Sequence, residues 1–500
     1  MMVEMAGNVD LFYSVLQTFH PCSKGYLDLF ACGAVCKKWQ QMVRNFLADT
    51  TWGSSFVAGA EIFRKKISSL KRNHDVETIV CGMHMYRVLR DARIQQQAAA
   101  ALNLVLAWEV NATTRMDTAL RTAEHNNAVQ AVLAAMAQHP SSKQLLLQSF
   151  GVMTSMCVLR RQRNDLFATD QEDLFIHLLD GAMWRFSDDC KFQHAAFNVI
   201  TKMSTWKGIE TYLSPTFKRR ILRTDIFKMI IPIMQAHKHK LDEEAGMLLK
   251  MLAISESRIW NTVVGPDSIP VILDVLTHSA RNDKKQTQHH FLQLIIMILP
   301  NPLCMKEFVD NNGIAKCMHA IHACMTLFPV VTPYDLMSGA VPSVPEHDRK
   351  TQIYVATILC KICAAKDASY AQAMVNEGGL DLLVDFLRLN SLTDPSPLET
   401  VKTFALRALV DMVAFDTTTT MFVRCPNVLP VMPVLLAMMR RDTCTSSLFY
   451  RICKLLKKLA RHSPAYLRAM KGHGFVTIVQ TKPISWRATA TCVKLLALIK

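Results

Sequence analysis

From about residue 94 to the end of this 500-residue chain, one pattern recurs: a small or apolar residue, then apolar residues four and seven places later. The clearest copies are Ala98/Leu102/Val105, Ala196/Ile200/Met203, Ala245/Leu249/Leu252, Ala405/Leu409/Met412 and Ile452/Leu456/Leu459. Looser copies are Ser149/Met153/Met156, Phe291/Ile295/Ile298, Val355/Leu359/Ile362 and Thr489/Val493/Leu496. Residues at i, i+4 and i+7 share one stripe of an α-helix. Between first members the steps are 51, 47, 49, 46, 64, 50, 47 and 37. A near-constant pace of similar helices describes units that cannot bury their apolar faces alone and must cover one another. Composition agrees. Half the residues are hydrophobic and 20% charged, which excludes a largely disordered chain, and Gly 17 with Pro 19 supplies little turn chemistry for a sheet-based enzyme.

A second helix precedes each copy, and its entry also repeats. Asn311-Asn312-Gly313-Ile314, Asn376-Glu377-Gly378-Gly379-Leu380 and Gly472-His473-Gly474-Phe475 each follow a short apolar helix, expected at Cys304–Val309, Tyr370–Val375 and Ala465–Met470. Glycine there suits a helix end at positive φ, where the chain reverses. The unit is therefore short helix, turn, second helix, loop, long third helix.

This unit resembles an armadillo repeat. Tyr370–Ala414 is similar to a nearly complete one, and Asn126–Met156 resembles another. The resemblance implies an all-α fold: a right-handed superhelical armadillo-like solenoid of about eight to nine repeats over residues 61–500. The exceptional step of 64 holds an insertion, 329–350, whose Pro329, Pro333, Pro342 and Pro345 exclude a helix through them. Either a surface loop or a partner-contacting loop fits it.

Residues 1–60 differ. Leu11, Val15, Leu16 and Phe19 form a short amphipathic helix, a loop follows with Pro21 and Gly25, and Asp28-Leu29 leads to Val35-Cys36-Lys37-Lys38-Trp39. This segment resembles an F-box, without the usual Leu-Pro opening and with a longer loop. The resemblance implies a three-helix cap that docks the adaptor subunit of a cullin–RING ubiquitin ligase through Leu11, Val15, Leu16 and Leu29, while the array recruits substrate. A plain cap that seals the first repeat is the alternative.

Catalytic signatures are missing: no phosphate loop, no dinucleotide fingerprint, no His-Glu-x-x-His and no nucleophile elbow. The expectation is a non-catalytic interaction protein with no cofactor. Metal sites fare no better. Cys360-Lys361-Ile362-Cys363 lies within a third helix without a second pair. In the run from Cys317 to Cys324, helical geometry points His319 and His322 away from the cysteines. His237, His239, His289 and His290 read as solvated or half-buried helix positions.

Armadillo proteins that hold extended peptides carry an Asn ladder on the third helix. Six places after each first residue, this chain has Leu104, Ser155, Lys202, Met251, Met297, Lys361, Asp411, Lys458 and Leu495, none of them Asn. Towards the C-terminus the groove offers positive charge instead: Lys361, Arg407, Lys454, Lys457, Lys458 and Arg461. With a net charge of +16, this strip would concentrate an acidic or phosphorylated peptide, unless it is an ordinary solvated helix face. Aromatics interleaved with the cations are scarce, which argues against nucleic acid. The odd count of 15 cysteines, no apolar run of membrane-spanning length, and no basic residue in Met1–Asp10 predict a reduced, soluble chain of the cytosol or nucleus.

Overall fold

The structure is a computed structural model that describes residues 51–72, 75–87, 91–111, 116–125, 127–159, 169–204, 220–221, 224–255, 264–325, 346–390, 398–413, 431–440, 444–481 and 486–499. Among these the regular elements are all helical, and no helix is long and apolar enough to cross a membrane. The chain divides into two compact units, Met1–Leu252 and Ala253–Lys500.

In the first unit, α1 (Thr51–Arg72), α2 (Val76–Tyr86), α3 (Ala92–Asn111), α4 (Met116–His125), α5 (Ala128–Gln138) and α6 (Lys143–Leu159) follow one another. Next come α7 (Thr169–Arg185), α8 (Cys190–Ser204), α9 (Ile226–His237) and α10 (Asp242–Ser255). Helix α1 runs through residues 60 and 61 without a break. The third helices of successive units stack: α3 on α6, and α6 on α8. Phe150, Phe175 and Phe192 meet at that interface, with ring centroids 6.4 and 5.3 Å apart.

The second unit contains α11 (Ile269–Arg281), α12 (Lys285–Ile298), α13 (Pro302–Asp310), α14 (Gly313–Met325), α15 (Glu346–Ala364), α16 (Ala368–Asn376) and α17 (Gly379–Asn390). It continues with α18 (Leu398–Met412), α19 (Val431–Arg440), α20 (Ser446–His462), α21 (Pro464–Gly472), α22 (Phe475–Thr481) and α23 (Trp486–Ile499). Two layers result. The third helices α12, α15, α18, α20 and α23 pack each on the next, and the second helices α11, α14, α17, α19 and α22 do likewise. Of the span 329–350, the last five residues form the first turn and a half of α15, and 329–345 lie outside the described residues.

The repeated stripe explains the stacking. Leu102, Met153, Ile200, Leu249, Ile295, Leu359, Leu409 and Leu456, the middle members of eight triples, are all fully buried. Each buried leucine-sized side chain contributes about 1.5–3 kcal/mol relative to exposure, more than the helix's own propensity supplies. The ninth triple requires a correction. Val493 is 59% exposed and Thr489 is exposed, whereas Ala488, Cys492 and Leu495 are buried. The stripe of α23 lies one residue earlier than its sequence pattern suggests, because the neighbouring α20 receives Cys492, whose Sγ is 3.5 Å from that of Cys453.

The turns behave as expected with one exception. Gly378 and Gly474 take positive φ, +80° and +74°. In the first copy Asn312 takes it instead (φ 57°), and Gly313 serves another purpose. A Cβ there would sit 2.6 Å from the Phe308 ring, so the glycine lets that ring close the preceding helix onto α14. Helix starts are capped by side chains: Asp75 accepts from Thr78 N, Asp367 from Ser369 N, Thr445 from Leu448 N and Ser463 from Ala465 N. Contacts between repeats reuse the same positions. Glu377 Oε2 accepts from Ala315 N at 2.7 Å, one repeat back, and Arg440 donates to the His473 carbonyl.

Two histidine expectations are also corrected. His289 and His290 are buried, because α12 is covered by both α11 and α15. His289 Nε2 lies 2.9 Å from Thr351 Oγ1, with its ring edge-on to Tyr354. His237 is buried too, hydrogen-bonded through Nε2 to the Ser187 carbonyl at 2.7 Å.

Candidate functional site

In the second unit, the third helices α15, α18 and α20 carry cations on the faces away from their buried stripes. Helix α20 shows why. Its apolar residues Ile452, Leu455, Leu456 and Leu459 are buried on one side. Arg451, Lys454, Lys458 and Arg461, spaced i, i+3, i+7 and i+10, fall on the other. Helix α18 adds Arg407, exposed, and α15 adds Lys361, half-buried. With the register of α23 corrected, its ladder position becomes Lys494, exposed, in place of the buried Leu495.

These side chains act on shared neighbours. Asp411 on α18 lies 4.0 Å from Arg407 Nε through Oδ2. Burial pushes the Asp411 carboxyl above the usual carboxylate range, and Arg407, Lys454, Arg451 and Lys366 together pull against that shift. The Cys360 thiol beside them is raised by burial, opposed by Arg407, Arg451 and Lys361. Further along, burial and repulsion from Arg461 and Lys494 hold the Lys457 ammonium below its ordinary value. Arg451 Nε is buried and has no hydrogen-bond partner among the described residues. Several cations thus converge on one half-buried carboxylate, and like charges press on one another farther along the strip. Such an arrangement is set to receive negative charge from outside.

A groove of about 630 Å³ opens between α15 and α18 and is lined by Lys361 and Arg407 together with Tyr370 and Phe404. Of the residues anticipated from sequence, Lys361 and Arg407 meet in this groove, Lys454 lies close enough to act on Asp411, and Lys458 lies on the same stripe of α20 as Lys454. Leu11, Val15, Leu16 and Leu29 lie outside the described residues. Arg451, Lys366 and Lys494 were not anticipated. For Arg451 the signal was available, since it stands three places before Lys454 on one helical stripe. Lys366 follows the end of α15 at positive φ (56°), where no periodicity marks it.

Cys317, Cys360 and Cys363 of the metal-like sequences belong to the core. Cys360 and Cys363 are buried and unpaired, and burial pushes the Cys363 thiol strongly up. Cys317 is buried while His319 and His322 are exposed, so these side chains do not converge. No cluster of three or more potential metal ligands exists among the described residues.

No family model matches the chain, and no curated protein matches it. Among solved structures, one from a study of a phosphorylation switch controlling the interaction between cadherin and beta-catenin is similar, with a TM-score of 0.53 and 12% identity. That match covers 97% of this chain and 98% of the other. Two engineered proteins match 55% of this chain at 16% identity with TM-scores of 0.39, covering 98% and 96% of their own lengths. The first likeness, at its low identity, speaks to fold alone: the chain is a helical-repeat solenoid.

Proposed function

We propose that this chain is a non-catalytic, armadillo-type interaction scaffold of eight to nine repeats, working in the cytosol or nucleus. Its second unit holds an acidic segment of a partner protein along the third helices α15, α18, α20 and α23. One observation carries the proposal. Arg407 stands 4.0 Å from the half-buried Asp411 carboxylate, and the neighbouring α20 carries Arg451, Lys454, Lys458 and Arg461 on one stripe opposite its buried face. The missing Asn ladder fits as well: grip comes from charge here, not from amides on the guest's backbone.

The test is a fluorescence-anisotropy titration of the full chain with a labelled acidic peptide. The variant Lys454→Glu/Lys458→Glu, folded by circular dichroism, is expected to weaken binding at least tenfold. Affinity equal to that of the unaltered chain overturns the proposal.

The segment around residues 10–45 supports a second reading, in which the chain is the substrate-recruiting F-box subunit of a cullin–RING ligase. The Asp28-Leu29 step and the Val35-Cys36-Lys37-Lys38-Trp39 core favour it. Co-purification with the ligase adaptor, lost in Val15→Asp/Leu16→Asp, is the expected result. Absence of the adaptor from the unaltered, folded chain refutes it.

A further inference from the structure

The cationic wall contains an apolar recess. Around the groove between α15 and α18, Met305, Ala364, Tyr370 and Phe404 contribute surface alongside Lys361 and Arg407. Phe404 is placed there by register. On α18 the buried stripe runs through Val401, Ala405, Leu409 and Met412, while Phe404 stands beside it, half-buried, three places before the exposed Arg407. Tyr370 arrives from α16, the first helix of the same repeat, and is also half-buried. Phe386 of α17, the helix packed on α18, is fully buried, whereas these two rings are not. Together the two rings give the cationic groove an apolar part.

The groove lining contains one acid, Asp367, beside two cations, Lys361 and Arg407. Asp367 is engaged as the N-cap of α16, accepting from Ser369 N at 2.7 Å and from Ser369 Oγ at 2.5 Å. With Lys361 and Arg407 against this one carboxylate, the lining keeps a net positive charge.

We infer that this recess is the anchor socket for one aromatic side chain of the partner's acidic segment, with acidic neighbours of that aromatic paired to Lys361 and Arg407. The inference rests on the scaffold reading and narrows it to a class of sequence: an aromatic residue within an acidic run. Several lines of physical chemistry agree. The groove's volume, about 630 Å³, lies within the range of pockets that enclose small ligands, ample for one indole or phenyl ring. Aromatic anchors in desolvated pockets dominate interface energies. Arg407 and Lys361 can both pair with carboxylates and face the ring of the guest. In an extended guest successive side chains alternate in direction, so acids beside the anchor reach the walls while the anchor enters the recess.

Three labelled peptides of about fifteen residues, titrated against the full chain, test this. One is a Glu/Ser run with a central Trp, the second has Ala for that Trp, and the third keeps Trp but has Gln for every Glu. The first is expected to bind about tenfold or more tightly than the second, and the third to bind far more weakly than the first. Phe404→Ala, which removes a wall, and Ala365→Phe, which fills the recess, should each reduce the Trp peptide to the affinity of the Ala peptide while leaving the latter unchanged. Equal affinity for the Trp and Ala peptides overturns the socket and leaves the charged wall standing. Binding of the Gln peptide as tight as that of the first overturns the pairing with Lys361 and Arg407. Failure of both acidic peptides to bind the folded chain overturns the scaffold reading itself.

Discussion

Six places after the start of each buried stripe, the first unit has Leu104, Ser155, Lys202 and Met251, while the second has Met297, Lys361, Asp411, Lys458 and, in the register the structure sets, Lys494. The stripes themselves are alike, small or apolar residues buried against the next third helix in both units. What differs is the other side of the same helices. In the first unit Leu104 is 47% exposed and Met251 is buried, so the wall has no consistent chemistry. In the second unit cations recur from α15 onwards, at Lys361, Arg407, Lys454, Lys458 and Lys494. A repeat fold separates these two tasks: the stripe holds the stack together, and the opposite face can change without disturbing it.

The sharpest way to break the comparison is to attack the shared part. Leu102→Ala in the first unit and Leu409→Ala in the second each remove a fully buried side chain, and each is expected to cost about 2–5 kcal/mol in denaturant unfolding. A wall substitution such as Lys454→Glu should stay within about 0.5 kcal/mol of the unaltered chain. If the wall substitution proves as costly as the core ones, stripe and wall are not separable.

A smaller effect contrasts the units by pH. Asp189 of the first unit is held below the usual carboxylate range by its hydrogen bond from Lys143 and that from Phe192 N. A depressed folded value means its stabilisation is complete above the ordinary carboxylate range and is lost as pH falls through the folded value. Asp189→Ala is expected to cost about 1 kcal/mol at neutral pH, through the lost cap and ion pair, and nothing in strong acid. Thermal melts across pH measure it; a cost that persists unchanged in acid contradicts it.

Asp411 of the second unit has the opposite sign. Its carboxyl is raised by burial, so the benefit of protonating it is full below the ordinary carboxylate range and disappears as pH rises through the higher folded value. Asp411→Asn removes that dependence and the wall's internal counter-charge together. Acidic-peptide affinity at neutral pH is expected to rise about two- to threefold, an effect of the size of one partly screened charge pair. A weaker affinity in the variant would mean that Asp411 organises the cations instead of competing for them.

Much of this architecture was legible because burial leaves a period in the sequence. Leu359, Leu409 and Leu456 announce their stripes without any knowledge of neighbours. The last stripe was not legible, because Thr489/Val493/Leu496 is about as apolar as Ala488/Cys492/Leu495, and only the proximity of Cys453 to Cys492 decides between them. Gly313 was misread for a related reason: its neighbour Asn312 tolerates positive φ, and the ring of Phe308 that requires the glycine is not visible as a contact in the sequence. The site divides along similar lines. Lys361, Arg407, Lys454 and Lys458 could be found by counting along each helix. Tyr370 could not be paired with Phe404, since they stand on the first and third helices of one repeat and line a common groove only with α15 beside them.

The central claim is that charge on the second unit's third helices grips an acidic segment. Titrating the full chain with the acidic Trp peptide over rising potassium chloride tests it most directly. Steady weakening of affinity as the Debye length contracts from about 10 Å at 0.1 M towards about 3 Å at 1 M is the expected result. Affinity that does not change with salt would contradict it.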